Sequence, residues 1–278
     1  MRVGLIQMTS SDDPSENLTT ALSLIRDAVE RGARFVLTPE VTNCVSASRT
    51  HQKSVLQSEA EDSTLVGLSG CAQELGVWLL IGSLAMKSED DDRFVNRSFL
   101  IKPDGTVAAR YDKMHMFDVT LSETETYRES DGYKPGNRAV VSHVDGTGVG
   151  LTICYDLRFP YLYRDLAHAG ASILTVPSAF SPDTGPVHWE TLLRARAIET
   201  GSYVLAPAQT GTHKVSRGRA RKTWGHSLVI DPWGEVVVDG GTDPGVVVAD
   251  LDLSKVSDVR SRLPSLTHDR AYEVVSDE

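Results

Sequence analysis

Apolar residues along this chain fall either in short unbroken runs or at helical spacing, and glycine or proline marks most switches between the two. Residues 3–8 (VGLIQM) read as a buried strand. From 15 to 31, Leu18, Ala21, Leu22, Ile25, Ala28 and Val29 repeat at helical intervals before Gly32, which predicts a helix, and 34–37 returns to strand character. This β-α-β opening delivers Thr38, Pro39 and Glu40 to the C-terminal end of a strand, where α/β proteins commonly keep working groups. A second unit repeats the rhythm: Leu65, Leu68, Cys71, Ala72 and Leu75 at helical spacing, a stop at Gly76, and a strand over 77–84.

Segments 94–101 and 106–111 predict a hairpin turned by Pro103, Asp104 and Gly105, with Lys113 just beyond it. The stretch 114–137 is polar with little periodicity and predicts a long loop, which in a compact domain is usually functional. A further hairpin, 138–143 with 149–153, turns around Asp145-Gly146-Thr147-Gly148, and its second strand runs into Cys154. Helices over 159–168 and 187–200, strands over 172–176, 203–207, 226–230, 235–238 and 245–251, and a short helix follow. No linker or low-complexity segment interrupts the succession, which predicts a single domain over 1–278 with a short polar tail from about 265. The fold class is α/β, with one mixed sheet or two; periodicity does not choose.

Composition narrows the classes. Hydrophobic content of 40% with 24% charged residues supports a full core. The formal charge of −10 argues against a whole-protein grip on nucleic acid or on anionic membrane surfaces. Three cysteines, Cys44, Cys71 and Cys154, cannot pair completely and lack metal-ligand spacing, so a reducing cytoplasmic setting is expected. The N-terminus lacks the long apolar region of a signal peptide, and no apolar run approaches a membrane span. Eight histidines show no H-E-x-x-H spacing, which disfavours a metal hydrolase.

Cys154 is the most informative position. It follows the apolar run VGLTI and precedes YDLRFP, so its thiol stands at a strand-to-helix elbow near free N–H groups, where a thiol becomes reactive and an oxyanion finds donors. A cysteine after an apolar strand is equally compatible with a small buried hydrophobe. Position alone leaves both open.

Three motifs carry a resemblance. TPE at 38–40, YDKMHMFD at 111–118 and CYDLRFP at 154–160 are similar, in order and spacing, to the motif regions of the nitrilase superfamily. The stretches at 177–211 and 224–236 extend the resemblance over nearly the whole chain and look closest to the Nit branch, particularly its Nit1-like amidases. It implies a four-layer α-β-β-α sandwich that forms a homodimer or a higher homo-oligomer, with no metal and no cofactor. It further implies Cys154 as nucleophile, Glu40 as general base and later acid, and Lys113 as the cationic oxyanion stabiliser beside the Tyr155 backbone N–H. Glu129 matches a further glutamate kept near such sites; a solvated loop acid is its alternative, and Glu123 competes for the role.

Other positions carry two readings each. Arg158 is a candidate for holding a substrate carboxylate, or for a structural pair with Asp156 or Asp165. Thr184 and His188 are candidates for the pocket wall, whereas Trp189, His115 and Cys44 read as structural. Lys214, Arg217, Arg219, Arg221 and Lys222 form a basic island, either a solvated loop or a rim that attracts an anionic substrate. The expected reaction is hydrolysis of the terminal carboxamide of a small acidic amide to carboxylate and ammonia, with deaminated glutathione as the specific substrate. An ω-amidase acting on 2-oxoglutaramate, a catalytically idle binding relative and a Cys-His thiol hydrolase are the alternatives.

Overall fold

In the computed structural model, which describes residues 1–122 and 125–276, the choice left open by periodicity resolves into two six-stranded sheets. The chain runs β1 (Arg2–Gln7), α1 (Pro14–Glu30), β2 (Phe35–Leu37), α2 (Arg49–Val55), α3 (Ser63–Leu75), β3 (Trp78–Lys87), β4 (Phe94–Ile101) and β5 (Val107–Asp112). A separate pair, β6 (Asp118–Ser122) and β7 (Glu125–Arg128), comes next. The second half runs β8 (Val140–Val144), β9 (Thr147–Leu151), α4 (Pro160–His168), β10 (Ile173–Thr175), α5 (Gly185–Thr200) and β11 (Tyr203–Ala206). It finishes with the short pair β12 (Thr210–Thr212) and β13 (Lys222–Trp224), then β14 (Leu228–Ile230), β15 (Val236–Asp239), β16 (Gly245–Asp250) and α6 (Ser254–Arg262).

Each sheet has three parallel strands flanked by antiparallel ones. The first is ordered β16-β1-β2-β3-β4-β5 and the second β15-β14-β11-β10-β9-β8. Strand alternation then sorts side chains into layers. Val3, Leu5, Phe35, Leu37, Leu80 and Leu100 turn toward the second sheet, where Leu151, Ile173 and Leu205 join the same core. Their neighbours Ile6, Val36, Leu79, Ile81 and Phe99 face outward and pack under α1 and α3 with Ala21, Ile25, Ala28 and Leu68. On the far side, Leu162 and Leu166 of α4 and Leu193 and Ala197 of α5 cover the second sheet. The result is a four-layer α-β-β-α sandwich.

Local chemistry explains how closely these layers approach. Asp13 caps α1 by accepting the Ser15 and Glu16 N–H groups, and Pro14 starts the helix. Helix α1 then lies so near β1 that a Cβ on Gly4 would sit 2.9 Å from Ala28 Cβ. Truncating a core leucine between such layers to alanine typically costs about 2–5 kcal/mol. The packed contact between the sheets therefore fixes the distance between groups carried by one half and groups carried by the other.

Three regions depart from the sequence expectation, the first being the β12–β13 pair, which brackets the basic stretch where no strand was predicted. The segment 114–137, expected as a loop, contains the β6–β7 pair, and α2 occupies RTHQKSV, for which no helix was predicted. Its polar composition hides it; Ser48 caps it through the His51 N–H, and Gln52 is its buried anchor.

Candidate functional site

Glu40 sits just past β2 on a turn that β3 holds in place. Thr38 N–H donates to Leu80 O at 2.9 Å, Gly82 N–H to Thr38 Oγ1 at 3.0 Å, and Val41 N–H to Ser83 Oγ at 2.8 Å. The approach needs glycine at 82, since a Cβ there would lie 2.0 Å from Thr38 O, and the β3–β4 register slips between Ile81 and Leu84 to accommodate it. Val41 follows with a φ of +47°, a conformation costly for a β-branched residue and one that turns the chain sharply after Glu40.

Lys113 leaves the end of β5, where its N–H donates to Asn96 O at 3.0 Å and its carbonyl accepts the Gly136 N–H at 2.8 Å. Cys154 follows β9 with a φ of +48° and opens a short 3-10 turn, Cys154–Arg158; its N–H donates to Pro177 O at 3.0 Å. The fully buried Asp156 ties these last two arms together. Its carboxylate accepts Ile153 N–H at 2.8 Å on the cysteine arm, and Tyr111 O–H at 2.6 Å and the His115 Nδ1 side at 2.7 Å on either side of Lys113. His115 therefore has the structural role expected of it.

The three side chains meet at the end of a cavity of about 240 Å³. Lys113, Glu40 and Cys154 are 2%, 4% and 8% exposed, so water competes little for their contacts. Lys113 Nζ donates to Glu40 Oε1 at 3.0 Å and to Glu129 Oε1 and Oε2 at 3.0 and 2.9 Å. Glu40 also accepts Asn96 Nδ2 at 2.9 Å and the Ala179 N–H at 2.8 Å, and its charge acts on the Cys154 thiol. Glu129 accepts the Phe117 N–H at 2.6 Å. Turning the Asn96 amide toward Glu40 leaves its Oδ1 buried without a partner among the described residues, a local cost accepted for one more donor on the carboxylate.

Electrostatics follow from this pairing. Burial pushes the Glu40 carboxyl upward, but the charges of Lys113 and Arg221 and the hydrogen bonds from Lys113 and Cys154 outweigh it and hold it below its ordinary value. Burial works against the Lys113 ammonium too; Glu129 and Glu40 override it and keep its pKa above the usual lysine range. Burial first, then the Glu40 charge, pushes the Cys154 thiol up to about 12 against the pull of Lys113. At neutral pH the site thus holds a protonated thiol against an ionised carboxylate, with a fixed ammonium alongside. That arrangement can deprotonate the thiol during attack and stabilise a developing oxyanion. Tyr155 stands in the first turn after the thiol, where backbone N–H groups lack helical acceptors.

The structure thus brings together Glu40, Lys113, Cys154 and Glu129, with Tyr155 and Thr184 also on the cavity wall. Arg158 and His188 do not line it. Arg158 Nη2 lies 3.2 Å from His188 Nδ1, and its guanidinium stacks over the rings of Tyr155 and Phe180, so neither the expected pocket role nor a pair with Asp156 or Asp165 describes it. Trp189 is core, as expected. Glu123 lies outside the described residues. Among the described residues no group of three or more His, Cys, Asp or Glu is arranged to hold a metal ion, and no helix is long and apolar enough to cross a membrane.

Sequence reasoning missed Asn96, Arg49 and Arg128, which also line the cavity, and did not single out Arg221 within the basic island. Asn96 had no signal of its own, since the polar Arg97 and Ser98 follow it on the same strand. The basic segment is anchored at its root rather than free. His213 is buried, with Nδ1 2.7 Å from Ser10 O and Nε2 2.8 Å from Thr223 Oγ1, and burial holds its pKa down to about 4, so it is neutral. Ser216 binds Asp12 through its N–H and its hydroxyl. Lys214, Arg217, Arg219 and Lys222 are exposed, whereas Arg221 turns inward to donate to Ala179 O at 2.6 Å.

A buried Glu-Lys-Cys constellation at the strand ends of this sandwich defines a class, and the chain belongs to the carbon-nitrogen hydrolase family, whose model matches residues 2–261. It is 40% identical over 273 residues to the deaminated glutathione amidase of Mus musculus, covering 96% of this chain and 83% of that protein. To the omega-amidase NIT2 of Bos taurus it is 36% identical over 275 residues, covering 98% and 97%. In three dimensions it is similar to the C. elegans NitFhit protein, with a TM-score of 0.88 and 34% identity, covering 97% of this chain and 65% of that longer one.

Proposed function

We propose that this protein is a cysteine amidase for small anionic amides, with deaminated glutathione as its substrate. The observation that carries the proposal is the buried Lys113 ammonium 3.0 Å from Glu40 at the end of the cavity that Cys154 also lines. The similarity to a deaminated glutathione amidase over nearly the full chain supports the substrate.

The pKa ordering shapes the mechanism. With the thiol up at about 12 and the carboxylate held low, proton transfer alone is uphill, so Glu40 takes the proton as Sγ bonds to the carbonyl carbon. Lys113 and the Tyr155 N–H receive the oxygen as it becomes negative. Glu40 then passes the proton to the leaving nitrogen, the C–N bond breaks and a thioester remains. Water, deprotonated by Glu40, attacks the thioester, releases the carboxylate and returns the thiol. Glu129 keeps Lys113 oriented through both its oxygens. A primary amide would release ammonia; deaminated glutathione, whose amides are secondary, would release an amine-bearing fragment instead.

An ω-amidase acting on 2-oxoglutaramate is the second reading, favoured by the similarity to NIT2. A homodimer is supported by exposed apolar residues on the outer helices, Tyr161 on α4 and Val187 and Ile198 on α5. Free Cys44, Cys71 and Cys154 support a reducing cytoplasmic setting. The test is a screen of deaminated glutathione, 2-oxoglutaramate, neutral aliphatic amides and nitriles, followed by carboxylate and amine release. Cys154→Ala should lose on the order of 10⁴-fold or more in kcat on whichever amide is best. Residual activity near wild type would refute the nucleophile, and an inactive wild type would refute the amidase.

A further inference from the structure

Three guanidinium groups line the cavity, those of Arg49, Arg128 and Arg221, and among the described residues none has a carboxylate in ion-pair contact. Elsewhere in this acidic protein arginines find acids readily: Arg2 with Asp250, Arg97 with Asp112 and Glu59, Arg164 with Asp269. Arg221 is half-buried, and its one described hydrogen bond, Nη2 to Ala179 O, uses a single donor of the five a guanidinium carries. That bond also fixes its place. Ala179 gives its N–H to Glu40, and the Arg221 charge registers on the Glu40 carboxyl, so Arg221 stands at the reacting end of the cavity. Arg49 is held differently, by Gln52 Oε1 at 3.1 Å and with its guanidinium carbon 5.0 Å from the centre of the Tyr133 ring. Gln52 is itself fixed by donating Nε2 to the Tyr133 hydroxyl oxygen at 2.9 Å. A guanidinium kept partly out of water, positioned by neutral groups and left without an anion, is a preformed carboxylate receptor.

We infer that the cavity is built for amides carrying two carboxylates, with Arg221 binding the one nearer the scissile carbonyl and Arg49 binding the second. This rests on the amidase reading and deepens it. Deaminated glutathione carries two carboxylates and 2-oxoglutaramate one, so Arg49 becomes the residue that separates the two candidate substrates. Arg128, exposed on β7 with Nη1 donating to Tyr127 O at 2.9 Å, adds positive potential at the cavity.

The test compares kcat/KM for deaminated glutathione, 2-oxoglutaramate and a neutral aliphatic amide in wild type, Arg221→Gln, Arg221→Lys and Arg49→Gln. Arg221→Gln should lower the anionic-to-neutral ratio about 10- to 100-fold, chiefly through KM, as expected for loss of a charged hydrogen bond. Arg221→Lys should restore part of it. Arg49→Gln should lower the dianion-to-monoanion ratio by a similar factor. Equal losses on all three substrates, with the acid limb of the pH profile moved upward, would overturn the receptor and make Arg221 a positioning residue for Glu40. An unaltered dianion-to-monoanion ratio in Arg49→Gln would overturn its share. Calorimetric binding of 2-oxoglutarate, a simple dicarboxylate, to Cys154→Ala keeps this test separate from the amidase reading. Affinity at least about tenfold weaker when Arg221→Gln is added supports the receptor even if no amide is turned over. Equal affinity overturns it while leaving the amidase standing.

Discussion

The floor of the cavity and its wall treat charge in opposite ways. On the floor, one ammonium faces two carboxylates, and Glu40 accepts from Lys113, Asn96 and the Ala179 N–H while Glu129 accepts from Lys113 and Phe117. On the wall, Arg49, Arg128 and Arg221 have no carboxylate in ion-pair contact among the described residues. Saturated groups cannot shift without breaking something, which suits the handling of protons and developing charge. Unsaturated groups are completed by a ligand, which suits selection. The floor should therefore govern kcat and the wall KM.

Lys113→Met gives the sharpest test of that division. It should lower kcat about 10² to 10³-fold through loss of an oxyanion donor, and also lower the melting temperature, because two carboxylates lose their buried counter-ion. A folded variant that keeps a tenth of wild-type kcat would break the comparison. The pH profile comes next. Glu40 lies below its ordinary value, so the base is present at neutral pH and activity should fall only as pH drops through that lowered value. Its contribution to stability follows the same sign: present above the unfolded-state pKa and lost as pH falls through the folded one. With Lys113 raised and the thiol at about 12, no basic limb should appear below about pH 9. In Lys113→Met, burial acts on Glu40 with less opposition and the acid limb should move to higher pH; a limb that stays fixed would deny Lys113 its hold on the base. The smallest effect belongs to the wall. Raising ionic strength from about 0.01 to about 0.5 M should raise KM for anionic amides a few-fold and leave kcat alone, because exposed charges are screened and buried ones are not. A salt-dependent kcat would blur the boundary between the two regions.

How much of this was legible in the sequence depends on how local its cause is. The strand ends that carry Glu40 and Cys154 follow from short-range periodicity, and the motif resemblance carried Lys113, Glu129 and the four layers. Arg158 did not follow, because its partner His188 is thirty residues away and its ring contacts depend on how α5 docks. Arg221 looked like its exposed neighbours Arg217 and Arg219; what turns it inward is a carbonyl on a distant strand end, together with a loop root fixed by His213 and Asp12. The β6–β7 pair and α2 lack the apolar stripe that periodicity detects. The positive φ values at Val41 and Cys154 have no sequence signal, since neither residue prefers that conformation.

Asp156 has a consequence for how the protein comes into being. By tying the lysine arm of the first sheet to the cysteine arm of the second, it makes the reactive centre a product of sheet docking rather than of either half. A nascent or half-folded chain carries a cysteine with no base and no cation beside it, chemically an ordinary thiol. Reactivity is switched on by assembly, so the chain is shielded from its own chemistry until the sandwich has closed.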